Sequence, residues 1–207
     1  MNVLVACEFS GIVRHAFMLE GHNAWSCDLL DTERPGLHYK GDIRDILNKD
    51  WDLMIAHPPC TYLSNSGVSW LHRQEGRWEK LDKGAAFFKM LLDAPIPHIA
   101  VENPIPHKYA VERIGRKYDQ LIQPYMFGHP ERKATCFWLK NLPKLIPTND
   151  VKDEMEALPK NQAQRIHYTS PGPDRWKIRS RTFIGIAQAM ASQWGNQSLA
   201  TSVIDNE

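Results

Sequence analysis

Four short apolar runs, each closed by a polar turn at its carboxyl end, constrain this chain more than any other feature. Asn2 to Cys7 runs into Glu8-Phe9-Ser10-Gly11, and Asn23 to Cys27 stops at Asp28. Trp51 to Ala56 meets His57-Pro58-Pro59-Cys60, where the prolines cannot donate to a strand ladder. Pro97 to Glu102 ends in Asn103-Pro104. Helical patterns lie between these runs. One passes from Gly11 through Met18-Leu19-Glu20 to a closing Gly21, and Trp78 to Leu92 sets Leu81, Ala85, Phe88 and Leu92 on one face. Gly41-Asp42-Ile43 marks a turn that opens a short helix, and Thr182 to Trp194 reads as the last helix. Leu121 to Phe127 and Thr135 to Leu139 read as a hairpin around Gly128-His129-Pro130. The alternation predicts an α/β fold with a mostly parallel sheet, helices on both faces and a terminal hairpin. Ligands of such sheets bind beyond the carboxyl ends of the strands, which is where the polar turns fall.

The 207 residues fit one domain, 1–207, with a proline-rich, irregular segment at 140–181 and a few fraying carboxyl-terminal residues. Thr61 to Gly76, rich in Ser, Asn and Gly, is expected to be a mobile loop. A net charge of +1 excludes a global attraction to nucleic acid, so any such contact must be local. No apolar run approaches the roughly 18–20 residues of a bilayer span. The start, Met1 to Ala6, lacks the basic region of a signal peptide, so a cytoplasmic location and no membrane partner are expected. The four cysteines are widely spaced without a C-x-x-C pair, so no metal site is expected. Cys7 and Cys27 sit in apolar strands as small hydrophobes, whereas Cys60 follows two prolines in a polar loop.

The first turns suit a nucleotide-like ligand. Phe9-Ser10-Gly11 permits close backbone approach, and a helix N-terminus there offers unpaired N–H groups to a carboxylate. Asp28, at the tip of the next strand, is placed for ribose hydroxyls, and Asp42-Ile43 for an adenine edge and face. Taken alone, Asp42 reads first as a helix cap. Cys60 and Glu102 each follow a strand, with one helix between them. Two neighbouring parallel strands would therefore bring both side chains to one pocket. His57 reads equally as structural or pocket-lining.

This ordered set resembles the DNA cytosine-5 methyltransferase family. The residues that carry the resemblance are Phe9-Ser10-Gly11, Asp28, Gly41-Asp42-Ile43, Pro58-Pro59-Cys60 with Ser64 and Gly67, Glu102-Asn103, Gly128-His129-Pro130-Glu131-Arg132-Lys133, and the helix from Thr182. They follow the family's order over roughly the whole chain. The resemblance implies a Rossmann-like class I methyltransferase fold. It implies methyl transfer from S-adenosylmethionine to carbon 5 of cytosine in DNA, through a covalent Cys60 adduct, with Glu102 as the base-binding carboxyl. It places the cofactor at Phe9, Ser10, Gly11, Asp28, Leu29, Asp42, Ile43 and Pro58, and the substrate at Pro59, Ser64, Asn103, Arg132 and Lys133. The chemistry suits these residue types. Carbon 5 is a poor nucleophile until a thiolate adds to carbon 6, and a carboxyl group at ring nitrogen 3 favours that addition.

About forty residues separate Leu139 from Arg181, too few for an ordinary recognition domain. This suggests a small, phage-type member. Asp174 to Arg181 holds Arg175, Lys177, Arg179 and Arg181 around Trp176, so Arg175 and Arg179 are further candidates for substrate contact. Such residues neutralise phosphates and stack on bases. The stretch also reads as a solvated basic turn with Trp176 packed on the core. The expected partner is DNA with a cytosine flipped out. Oligomeric state is left open. Rival readings are modification of a free pyrimidine nucleotide and a catalytically degenerate nucleic-acid binder. An amino-methyltransferase is disfavoured, because His57 and Cys60 replace the polar and aromatic residues that flank Pro-Pro in such enzymes.

Overall fold

Side-chain alternation sets the layers. The computed structural model describes residues 1–196, and the carboxyl-terminal residues expected to fray lie outside the described residues. In β1 (Asn2–Ala6), Val3 and Val5 pack to one side while Leu4 and Ala6 pack to the other, all fully buried. A strand apolar on both faces belongs at the centre of a covered sheet. It is flanked by β2 (Asn23–Asp28) and β4 (Leu53–Ala56), with β3 (His38–Lys40) beyond β2 and β5 (His98–Asn103) beyond β4. These five strands are parallel. β7 (Thr135–Lys140) pairs antiparallel with both β5 and β6 (Gln120–Ile122), giving the order β3-β2-β1-β4-β5-β7-β6.

Helices cover both faces, as expected. α1 (Ile12–Leu19) and α7 (Ile184–Gly195) close the Val3/Val5 side through Val13, Phe17, Ile186 and Met190. α2 (Arg77–Leu92) and α3 (Lys108–Ile114) close the other through Leu81, Ala85, Phe88 and Ala110. Phe137 and Trp138, successive residues of β7, serve opposite faces. Trp138 meets Phe88 with ring centroids 4.8 Å apart, and Phe137 meets Trp194 at 5.6 Å. Both pairs are edge-on, the arrangement favoured by ring quadrupoles.

The structure departs from the sequence expectations where segments are short. β3 is a three-residue edge strand of His, Tyr and Lys, with no apolar run to announce it. The hairpin forms, but its first strand stops at Ile122 because Pro124 opens a 3₁₀ turn at Pro124–Met126. α3 was not foreseen; the His107 side chain accepts the Ala110 N–H at 3.0 Å and caps it. Thr61 to Gly76 is not a plain loop. It carries a 3₁₀ helix at Asn65–His72, anchored by buried Leu63 and Leu71. Nor is 140–181 irregular throughout. It holds α4 (Lys152–Ala157), α5 (Lys160–Ala163) and α6 (Arg175–Ser180), pinned by buried Met155, Ala163 and Ile166. Cys27 is buried as expected, but Cys7 is half-buried beyond β1 with a left-handed φ of 58°.

Candidate active site

Register assembles the centre of the site. Ala56 of β4 pairs with Val101 of β5, so the next residues, His57 and Glu102, stand side by side beyond the pairing. His57 Nδ1 lies 3.1 Å from Glu102 Oε2, with the two side chains 9% and 18% exposed. Pro58 and Pro59 then turn the chain, and the Cys60 carbonyl accepts the N–H groups of Leu63 and Ser64, each at 3.0 Å. A cavity of about 310 Å³ opens here, walled by Phe9, Asp28, His57, Cys60, Glu102 and Trp176 among others. A second cavity, about 360 Å³, shares Cys7, Asp28 and Pro59 with the first and extends along Leu29, Asp42 and Ile43. Both lie in the range of small-molecule sites. They sit beyond the carboxyl ends of β1, β2, β4 and β5, where strand order reverses on either side of β1.

Charge is concentrated around the thiol. Burial, reinforced by the nearby Glu102 charge, pushes the Cys60 thiol above its ordinary range; Lys133, its own backbone N–H and Arg179 pull the other way. Burial also pushes Glu102 upward, but the His57 hydrogen bond and charge, with Lys133, outweigh it and hold the carboxyl below its usual range. Burial lowers the Lys133 ammonium against the opposing pull of Glu102 and Cys60. Lys133 Nζ donates to the Arg181 carbonyl at 3.2 Å, which ties the turn leading into β7 to the end of α6. Because the Glu102 charge raises the thiol, Glu102→Gln should lower the Cys60 pKa. The rate of alkylation by iodoacetamide at fixed pH should then rise several-fold, a factor of ten corresponding to about 1.4 kcal/mol. A rate that is unchanged or slower would mean that the two groups are not coupled.

The candidate residues divide into three groups. Phe9, Ser10, Asp28, Pro58, Pro59, Cys60 and Glu102 line the first cavity, and Leu29, Asp42 and Ile43 the second. Asp42 takes up the expected cap role as well, accepting the Arg44 N–H and pairing with its guanidinium at 2.7 Å. Lys133 and Arg179 act on Cys60 electrostatically without lining the cavity, while the Arg175 side chain, among the described residues, donates a hydrogen bond only to the His167 carbonyl at 3.5 Å. Others are held elsewhere. Arg132 turns to Met155 and Glu156, Ser64 meets Ser66 at 3.1 Å, and Asn103 is buried with no hydrogen-bond partner for its side-chain amide among the described residues. Trp176 is not in the core. It is 51% exposed and rests on Phe9 with ring centroids 5.6 Å apart, at the mouth of the cavity.

One expectation is corrected. The N-terminus of α1 does not present free N–H groups to a ligand carboxylate. Glu8 supplies its own: Val13 and Arg14 donate to its carboxylate at 2.7 and 3.2 Å, and Ser10 Oγ takes the Ile12 N–H at 3.3 Å. Gly11 turns the chain into the helix at φ 66°, a conformation costly for other residues. Sequence reading also missed Arg14. Its guanidinium is fully buried and donates to Ser26 Oγ and the carbonyls of Arg34, Pro35 and Leu37. The available signal was its helical position, three residues before Phe17 on the buried stripe.

No protein-family model matches the chain, and no curated protein matches it in sequence. Solved structures do resemble it. One is an E. coli prophage-encoded protein described as a DNA modification methyltransferase, 16% identical over 77% of this chain and 55% of that one, with a TM-score of 0.45. The Entamoeba histolytica methyltransferase EhMeth is 17% identical over 72% and 57%, at 0.44. The S. pombe Dnmt2 methyltransferase is 15% identical over 95% and 66%, at 0.42. The matches thus span between 55% and 66% of those chains. Five parallel strands, a reversal of order beside β1 and an antiparallel β7 inserted between β5 and β6 decide the architecture of this chain. The fold is Rossmann-like. Among the described residues, no helix is long and apolar enough to cross a membrane, and no group of three metal-ligating side chains occurs.

Proposed function

We propose that this Rossmann-like chain is an S-adenosylmethionine-dependent methyltransferase acting on carbon 5 of cytosine in DNA, with Cys60 as nucleophile and Glu102 as the base-binding carboxyl. The observation that carries the reading is one strand-tip cavity walled by both Cys60 and Glu102 and sharing Cys7, Asp28 and Pro59 with a second cavity beside it. The residues present fit the cofactor. Asp28 suits ribose hydroxyls, and Leu29, Ile43 and Phe9 offer apolar surface to an adenine. Leu29 is 72% exposed beside the second cavity, an apolar side chain that a bound ring would cover. Glu8 and Ser10 are the groups nearest the helix end for the amino-acid part, with the Glu8 carboxylate suited to its ammonium. When bound, S-adenosylmethionine supplies an electrophilic methyl group.

The chain's own residues do the rest. Cys60 sulfur adds to carbon 6, and the electron pair of the 5,6 double bond moves toward nitrogen 3, which takes a proton relayed from solvent through Glu102. Carbon 5 becomes enamine-like and takes the methyl. Nitrogen 3 then returns its proton to Glu102, water takes the carbon 5 proton, and as the 5,6 double bond re-forms the sulfur–carbon pair returns to Cys60. Lys133 and Arg179 favour the thiolate. The target cytosine must leave the duplex to reach this cavity. α6, with Arg175, Lys177 and Arg179, is the reduced recognition segment that would meet the phosphates, with Trp176 beside the base. So small a surface would read a site of about two to four bases.

The test is methyl transfer from labelled S-adenosylmethionine to duplex DNA and, separately, to dCMP, with bisulfite sequencing of the DNA product. Label in DNA at cytosine carbon 5 is the expected result. Label in dCMP alone would replace the substrate by a free nucleotide, and label in neither would overturn the reading.

A further inference from the structure

The Glu102 carboxyl has two oxygens, and the structure treats them differently. Oε2 lies 3.1 Å from His57 Nδ1; among the described residues no other hydrogen bond reaches the carboxyl. His57 Nε2 is buried without a partner among the described residues. In the neutral ring that asymmetry fixes the proton, and in the charged ring Nδ1 carries one in any case. A proton on Nε2 would be buried with no acceptor, and it would leave two acceptors, Nδ1 and Oε2, facing each other. An unmade buried hydrogen bond costs more than a made one returns. The proton therefore belongs on Nδ1, donated to Oε2. Glu102 stands on β5 and His57 directly follows β4, and both side chains are largely buried, so neither can swing freely.

We infer that His57 is a positioning residue for Glu102: its Nδ1–H holds Oε2 and leaves Oε1 turned to the ring edge of the pyrimidine. The inference rests on the cytosine-5 reading for the identity of that ring. His57 lines the same cavity, and the role inferred for it acts through Glu102. Its task is to hold the carboxyl in one plane against burial, which alone would drive Glu102 upward into its neutral form. The other groups that face the carboxyl are Cys60 from the turn after β4, Lys133 from the approach to β7 and Cys136 from β7 itself. Arg179 of α6 acts on the same cluster through Cys60 and Lys133. Of these, His57 alone is hydrogen-bonded to the carboxyl among the described residues.

Two variants test it, His57→Ala and His57→Asn. The Asn amide can donate from about the place of Nδ1 but carries no charge. The first readout uses no substrate. In protein labelled with ¹³C-carboxyl glutamate, the Glu102 signal, assigned by its loss in Glu102→Gln, should titrate at higher pH in His57→Ala and return part of the way in His57→Asn. The second readout is methyl transfer. His57→Ala should lower kcat roughly 10- to 100-fold, the loss expected of a misplaced catalytic group, with KM for DNA little changed. His57→Asn should recover most of that loss. An unmoved Glu102 titration in folded His57→Ala overturns the inference. Should the alanine variant fail to fold, His57→Asn decides alone: a kcat as low as about one hundredth of wild type would overturn it. A wild-type protein that methylates neither DNA nor dCMP overturns the cytosine-5 reading instead, while the titration still decides whether His57 holds Glu102.

Discussion

Cys60→Ala should abolish methyl transfer while the protein remains folded and still binds S-adenosylmethionine. Loss of a covalent nucleophile costs on the order of 10⁴-fold or more in kcat, because the remaining groups position a substrate that nothing attacks. The fold should tolerate the change. Cys60 belongs to neither core cluster; its backbone carbonyl, which takes the Leu63 and Ser64 N–H groups, is unaffected by removal of the sulfur. The second cavity, where the adenosine would lie, does not include Cys60. Methyl incorporation should therefore vanish with little change in the affinity for S-adenosylmethionine measured by calorimetry. Turnover at the wild-type rate would exclude covalent catalysis through this thiol. The wild-type rate should also rise with pH through the neutral and mildly alkaline range. The thiol is raised by burial and by Glu102, so the nucleophilic thiolate grows as pH climbs toward that raised value.

The strands were legible because burial on both faces leaves a nearly unbroken apolar run. Val3 to Ala6 and Leu53 to Ala56 are fully buried, and no loop of this chain reads that way. The turns that follow them were legible for the opposite reason, since Glu8, Asp28 and Glu102 stop apolar runs with charge. What register adds is pairing. Cys60 and Glu102 could be placed on neighbouring strands by their spacing, but the His57–Glu102 contact follows only once Ala56 is set against Val101. The hidden elements were those held by tertiary contacts. β3 has three residues and no apolar face, and α4 to α6 are too short for a periodic signal. Trp176 was ambiguous between core and surface because a tryptophan serves either; its exposure and its contact with Phe9 depend on where α6 lands. The α1 N-terminus misled most directly. Free N–H groups at a helix start are an anion site only if the chain does not fill them, and Glu8 is near enough in sequence to do so.

Arg14→Met should cost on the order of 3 kcal/mol and loosen the cofactor side of the site together with α6. Methionine keeps much of the apolar stem but none of the donors. Four hydrogen bonds are lost at once, to Ser26 Oγ at 3.0 Å and to the carbonyls of Arg34, Pro35 and Leu37 at 2.7, 3.1 and 3.2 Å, although Ser26 keeps His38, Arg34 keeps the Thr32 hydroxyl and Leu37 keeps the Ser26 N–H. A hydrogen bond from a charged donor contributes about 1.5–3 kcal/mol net where it is well shielded, and less here because the accepting segment is partly exposed and three of the acceptors keep a second partner. For a chain of this size, that loss should lower Tm by roughly 6–12 °C in a calorimetric scan. The functional consequence follows from what the segment between β2 and β3 holds. It begins at Asp28 and Leu29, beside the second cavity. Within it, Glu33 donates its N–H to the Phe9 carbonyl at 2.8 Å, and its carboxylate clamps Arg181 with two contacts at 2.7 and 3.1 Å. Arg14 thus secures one segment that links the helix start, the tip of β2 and the end of α6. Gly11 depends on the same guanidinium, since a Cβ there would lie 2.7 Å from it. Affinity for S-adenosylmethionine should fall about tenfold, equivalent to about 1.4 kcal/mol, in the folded variant well below its Tm. A variant with wild-type Tm and wild-type affinity would show that these four contacts contribute little to either.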